Sequence, residues 1–200
     1  MLAALAVIGY LFFSANHFRE SSKNRLCERF EVVVKDSVRT AFVRAHEIEA
    51  LVKKHGLYPV GKPFSEVNTL AIRDTIMANR LVESVDVYTT SSGSVVASIR
   101  QREPVLRVIS DTKGSFYVDD DRQIMPVSPA FTVYVPLATG AIGEEMAKNE
   151  LYDFAMFLHR DAYWNAWIEH ISVRGNGDVV LIPRAGDFQV VMGSLHDYPA

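Results

Sequence analysis

The residues best equipped for chemistry in this chain are few and poorly assembled. Asp119-Asp120-Asp121 is the densest acidic cluster, and adjacent carboxylates are hard ligands for calcium or magnesium. A calcium loop also needs a sharp glycine turn and a distal bidentate glutamate, and neither follows here. Successive turn side chains diverge, so the triplet reads as a solvated hairpin turn. His159, Asp161 and His170 carry atoms suited to metal binding or proton transfer, but their spacing matches neither HExxH nor an i, i+4 helical pair. A structural role is the reading. His46 and His55 have no carboxylate or cysteine at ligand spacing and read as helix-surface and helix-end residues. Ser91-Ser92-Gly93-Ser94 lacks the G-x-S-x-G frame and following helix of a nucleophile elbow. Trp164 and Trp167, near Phe154 and Phe157, read as core or sheet-rim packing rather than a ligand platform. The single cysteine, Cys27, excludes an internal disulfide framework and a Cys-rich zinc site. Asn24-Arg25-Leu26 before it is not a lipid-attachment context, so Cys27 reads as a free structural thiol. No catalytic residue, metal or cofactor is therefore assigned, and the chain reads as something other than an enzyme.

Composition agrees with a folded interaction protein. The 200 residues are 48% hydrophobic and 22% charged, with a formal net charge of -3. That balance makes no case for nucleic acid as a partner. No repeat period or low-complexity tract is present.

The elements that would carry any function can be taken in order. Residues 1–18 contain no charged side chain. At about 1.5 Å rise per residue this run covers roughly 27 Å, against a bilayer core of about 30 Å. It reads as a single membrane anchor with a short upstream tail ahead of it, followed by a linker over 19–30. Phe30 to Val34 is a β-branched strand. Val43 to His55 has apolar residues Ile48, Leu51, Val52 and His55 at helical spacing, with Gly56 suited to the left-handed position that ends a helix. A second helix over Thr69–Asn79 starts from Asn68 as N-cap. Val85, Val87 and Thr89 then alternate with polar residues, as do Val95, Ala97 and Ile99 across the Ser/Gly turn, giving a hairpin. Residues 31–103 thus spell β-α-α-β-β, a compact α+β domain. Residues 104–200 read as an antiparallel β domain with one packed helix over Glu144–His159. Strands are expected at Leu106–Ile109, Phe116–Val118, Gln123–Met125, Thr132–Leu137, Ile168–Arg174, Val179–Ile182 and Phe188–Met192.

With no chemical site, the sheet edges become the candidates, because an unpaired strand edge can accept a partner strand. The partner-binding candidates are Val85, Val87, Tyr88, Val95 and Ile99 on the hairpin, Arg102 at the joint, and Phe188, Val190 and Met192 on the last strand.

Several short motifs occur in a fixed order. Gly61-Lys62-Pro63-Phe64 precedes the second helix, and Ile72, Ile76 and Asn79 lie within it and at its end. Val85-Asp86-Val87 and Val95–Ile99 form the hairpin, which exits through Gln101-Arg102-Glu103-Pro104-Val105. Phe116-Tyr117-Val118-Asp119 with Met125-Pro126, the turn Leu137-Ala138-Thr139-Gly140, and Ile182-Pro183-Arg184 with Gly186 follow. Their order and spacing resemble FtsQ/DivIB, a bitopic bacterial cell-division family with a POTRA domain followed by a β domain. The resemblance implies a non-enzymatic divisome scaffold in the cytoplasmic (inner) membrane, single-pass, with its domains periplasmic and placed at the septum. It implies FtsB-like and FtsL-like partners, an FtsK-like protein in recruitment, and a part in controlling septal peptidoglycan synthesis. In the family a helix and a final strand follow the glycine that Gly193 resembles, and that strand is the main docking edge, so the β domain is expected to be incomplete here. Two other readings are a POTRA-bearing component of outer-membrane protein assembly or transport, and an envelope enzyme.

Overall fold

A computed structural model of the chain describes residues 10, 24–35, 42–128 and 132–195. The expected anchor at 1–18 lies outside the described residues except for Tyr10, and the linker does so over 19–23. Among the described residues no helix is long and apolar enough to cross a membrane. The chain divides into two compact units, Met1–Ser37 with Val43–Gln101 and Val38–Phe42 with Arg102–Ala200.

The first unit carries strand β1 (Arg29–Val34), helices α1 (Ala45–Lys54) and α2 (Thr69–Met77), and strands β2 (Val82–Thr89) and β3 (Ser94–Gln101). Local chemistry sets the helix ends. Glu47 stands in the first turn of α1, and Lys53 and Lys54 in its last, each matched to the helix dipole. Gly56 then takes φ 70°, which lets Leu57 N–H donate to Val52 O and Gly56 N–H to Lys53 O. Asn68 Oδ1 accepts from Ala71 N–H at 2.9 Å and caps α2. Ile48, Val52, Ile72 and Ile76 are buried against the sheet. Its order is β1-β3-β2, with β1 parallel to β3 and β2 antiparallel to it. A parallel neighbour requires a crossover connection, and the helices lie on that crossover.

The second unit departs from the expected antiparallel sheet with one helix. Its strands are β4 (Pro104–Ser110), β5 (Gly114–Asp119), β6 (Ile124–Pro126), β7 (Leu137–Gly140), β8 (Ile168–Val173), β9 (Val179–Pro183) and β10 (Val190–Gly193). They form one mixed sheet in the order β10-β9-β8-β7-β4-β5-β6, with β7 parallel to both β4 and β8. The β7-to-β8 crossover holds three helices: α3 (Glu144–Lys148), α4 (Glu150–Arg160) and α5 (Ala162–Trp167). The expected single helix breaks at Asn149, whose φ −112° and ψ −90° are not helical. Residues 132–136 form no strand, because Pro136 has no N–H to donate to a ladder. Its carbonyl accepts from Arg107 N–H at 2.9 Å, and the strand starts one residue later. Leu137–Gly140, expected as a turn, is therefore β7 itself. Gly140 has φ 111°, and a Cβ there would sit on the Val173 carbonyl oxygen. The core lies between one sheet face and the helices, where Leu106, Val108, Ala138 and Ile171 meet Leu151, Phe154, Ala155 and Leu158.

Candidate functional site

Among the described residues the two sheets present four edges, β1 and β2 in the first unit and β6 and β10 in the second. Edges are usually blunted by charge or proline. On β1, Arg29 and Glu31 approach to 3.7 Å. Glu83 and Asp86 lie on β2, and Glu83 reaches Arg100 at 3.8 Å. The β6 strand is three residues long and ends on Pro126. Val190-Val191-Met192-Gly193 on β10 has neither charge nor proline.

Register decides what lies beside that edge. Val190 stands opposite Leu181 and shares its core-facing side, whereas Val191 stands opposite Val180 and faces away. Val190 and Met192 therefore line an open apolar groove of about 420 Å³ with Phe157, Leu158, Trp164 and Trp167. Short helix α5 builds one wall. Asp161 Oδ1 caps it, accepting from Tyr163 N–H at 2.9 Å and Trp164 N–H at 3.2 Å. That cap holds Tyr163 stacked on Trp167, with ring centroids 6.0 Å apart, and edge-on to Trp164 at 5.4 Å. Phe188 leans on Trp167 from the strand side at 6.0 Å. Trp164 and Trp167 stay 40% and 41% exposed, so they rim the groove and do not belong to the core.

The other expected partner-binding residues divide. Val95 and Ile99 offer no edge, because β3 is the central strand, paired on both sides, and both are fully buried. On β2, Val85 is buried and Val87 half-buried, and only Tyr88 projects. Arg102 is engaged within its own unit. Its Nη1 donates to Asp119 Oδ2 at 2.5 Å, while Asp119 Oδ1 accepts from Asp121 N–H and Gln123 N–H at 3.0 and 2.6 Å. Asp119 is completely buried, which corrects the reading of the acidic triplet at that one residue, while Asp120 and Asp121 are exposed turn residues as expected. A carboxylate meeting an arginine and two turn amides no longer needs water. Phe188, Val190 and Met192 come together at the groove. Sequence reasoning missed Tyr163, Trp164 and Trp167 as its far wall. The signal was present in Ala-Tyr-Trp-Asn-Ala-Trp directly after a capping Asp161.

The candidate ligand sets do not converge. Asp161 is a helix cap. His170 Nε2 lies 2.7 Å from Thr139 Oγ1, and burial holds its imidazole below the ordinary value, with Glu169 opposing. Among the described residues no group of three or more His, Cys, Asp or Glu is placed to hold a metal ion. Cys27 is buried, and its thiol donates to Arg29 O at 3.2 Å.

Comparison with family models is consistent along the chain. Residues 25–100 match a POTRA-like domain, and residues 103–200 match a model described as FtsQ/DivIB, C-terminal related. Comparison with individual curated proteins finds no match. Two matches in this order, meeting at the joint that Arg102 marks, make the chain an FtsQ/DivIB-like protein.

Proposed function

We propose that this chain is a non-enzymatic scaffold of bacterial cell division, and that it holds a partner by strand addition at β10. The FtsQ/DivIB likeness supports a cell-division role. The single observation that carries the docking mode is the uncharged β10 edge opening directly onto the aromatic groove. A strand laid on β10 would pair with the backbone that is unpaired among the described residues, and its alternate side chains would fall over Trp164, Trp167 and Met192. In this reading the partners are FtsB-like and FtsL-like membrane-anchored division proteins, with an FtsK-like protein recruiting through the POTRA-like unit. The scaffold would sit in the cytoplasmic membrane at the septum, with both units periplasmic, and help control septal peptidoglycan synthesis.

Val190→Lys tests it. Val190 is 41% exposed and faces the groove, so a lysine there blunts the edge and charges the groove while leaving the core intact. Cells carrying only this variant should form filaments and lose the FtsB-like partner from midcell, with the melting temperature of the purified protein unchanged. Normal cell length with the partner at midcell would refute the proposal.

A further inference from the structure

The seven-stranded sheet has a second face, away from α4 and its core contacts. Register places Ile182, His170, Leu137, Arg107, Tyr117 and Met125 in one row across six strands. In the neighbouring row Val191, Thr139 and Ile109 point the same way. The Tyr117 end is covered, with Phe42 edge-on to the Tyr117 ring at 6.0 Å. From Arg107 to Ile182 the row is half-buried, and Ile109 is 39% exposed.

Arg107 is the permanently charged member of this mixed face, whose other polar pair, His170 and Thr139, is hydrogen-bonded to itself at 2.7 Å. Its guanidinium leans over the Tyr117 ring at 5.8 Å, and its Nε is buried without a hydrogen-bond partner. Among the described residues it has no ion pair. Buried donors are ordinarily satisfied, and each exception calls for an explanation. Packing over Tyr117 engages the face of the guanidinium but supplies no acceptor for Nε. Neither row contains an aspartate or glutamate. Strands with helical crossovers are also usually covered on both faces.

We propose that this face receives an amphipathic helix of a partner protein, with its apolar side on Leu137, Ile109 and Ile182 and one carboxylate side-on to Arg107. A side-on carboxylate engages Nε and an Nη together, which supplies the acceptor Nε lacks. The occupant is a helix and not a strand because the strands bearing this row around Leu137 and Arg107 are already paired on both sides, leaving side chains and no free backbone. The surface is separate from the β10 groove, which lies on the opposite face.

The test uses a phage-displayed library of amphipathic helices, each roughly 18 residues or about 27 Å long, with one position in the apolar stripe fully randomised. Selection on the full chain should enrich Asp or Glu there by about tenfold or more. Selection on Arg107→Met should not, and selection on Arg107→Glu should favour Lys or Arg. The selected helices should lose binding to Ile109→Arg and keep it to Val190→Lys, which separates this surface from the strand edge. Arg107→Met should melt no lower than the parent protein, because the arginine serves the partner and not the fold. Absence of acidic enrichment, the same enrichment on Arg107→Met, or a lower melting temperature for that variant overturns the proposal.

Discussion

Replacing Asp119 with alanine should unfold the second unit more readily than any other single change in its turns. The magnitude follows from the geometry. The carboxylate is completely buried and accepts from Arg102, Asp121 N–H and Gln123 N–H. Removing one partner of a buried ion pair costs about 3–5 kcal/mol, mostly because the other charge is left uncompensated. Arg102 keeps 21% of its side chain exposed, so water recovers part of that loss. Asp121 and Gln123 are exposed, and their amides can be solvated after the change. These corrections put Asp119→Ala at the low end, about 3 kcal/mol. For a unit near 100 residues that is a drop in melting temperature of roughly 12–24 °C. Asp119→Asn keeps an acceptor for the two amides and should lose less, about 1.5–2 kcal/mol. Calorimetry of the two variants, with Arg102→Met and the Arg102→Met/Asp119→Asn double variant, completes the cycle, and the pair should couple by at least ~1 kcal/mol. If Asp119→Ala melts within about 4 °C of the parent protein, the carboxylate is a solvated turn residue after all and the reasoning fails.

Three further outcomes are expected. Gly140→Ala should destabilise by about 2–4 kcal/mol, because its Cβ meets the Val173 carbonyl and its φ is positive; urea unfolding checks this, and a loss under ~1 kcal/mol would mean the β7–β8 pairing yields freely. Asp161→Ala should cost about 1 kcal/mol by uncapping α5 and should weaken strand binding at β10 in proportion; unchanged binding would show that the aromatic wall is not used. Burial favours neutral His170, so the unfolded chain takes up this proton first. The stabilisation it contributes is present above about pH 6.5 and is lost as pH falls below that. The urea midpoint should therefore drop more between about pH 7.5 and 5.5 in the parent protein than in His170→Gln, and parallel curves would contradict the assignment.

What could be read from the sequence was what depends on neighbours a few residues away. Ile48 and Val52 one helical turn apart, Asn68 ahead of Thr69, Gly56 after two lysines, and the alternation through β2 and β3 each act locally. Alternation reports which face a residue takes, but not which strand lies beside it. Val95 and Ile99 therefore read as edge residues in the sequence, whereas β1 pairs with β3 and makes it the central strand. Pairing of β7 with β4 and β8 depends on crossovers that no short window contains, and Pro136 shifts the strand by its missing N–H. Asp119 was misread because its partner, Arg102, stands outside the turn. Half of the groove was visible in Phe188, Val190 and Met192, and the other half came from α5, a helix of six residues too short to show a period.

The aromatic groove also makes the protein its own reporter. The chain has only two tryptophans, and both stand on the groove rim. Their intrinsic emission thus comes from one place, unobscured by any other indole. A partner seated over Trp164 and Trp167 would remove water from both rings and move that emission to shorter wavelength, so occupancy can be titrated on the unlabelled chain. A ligand binding at the Arg107 face would leave the signal where it is, and the two surfaces can be told apart in one cuvette.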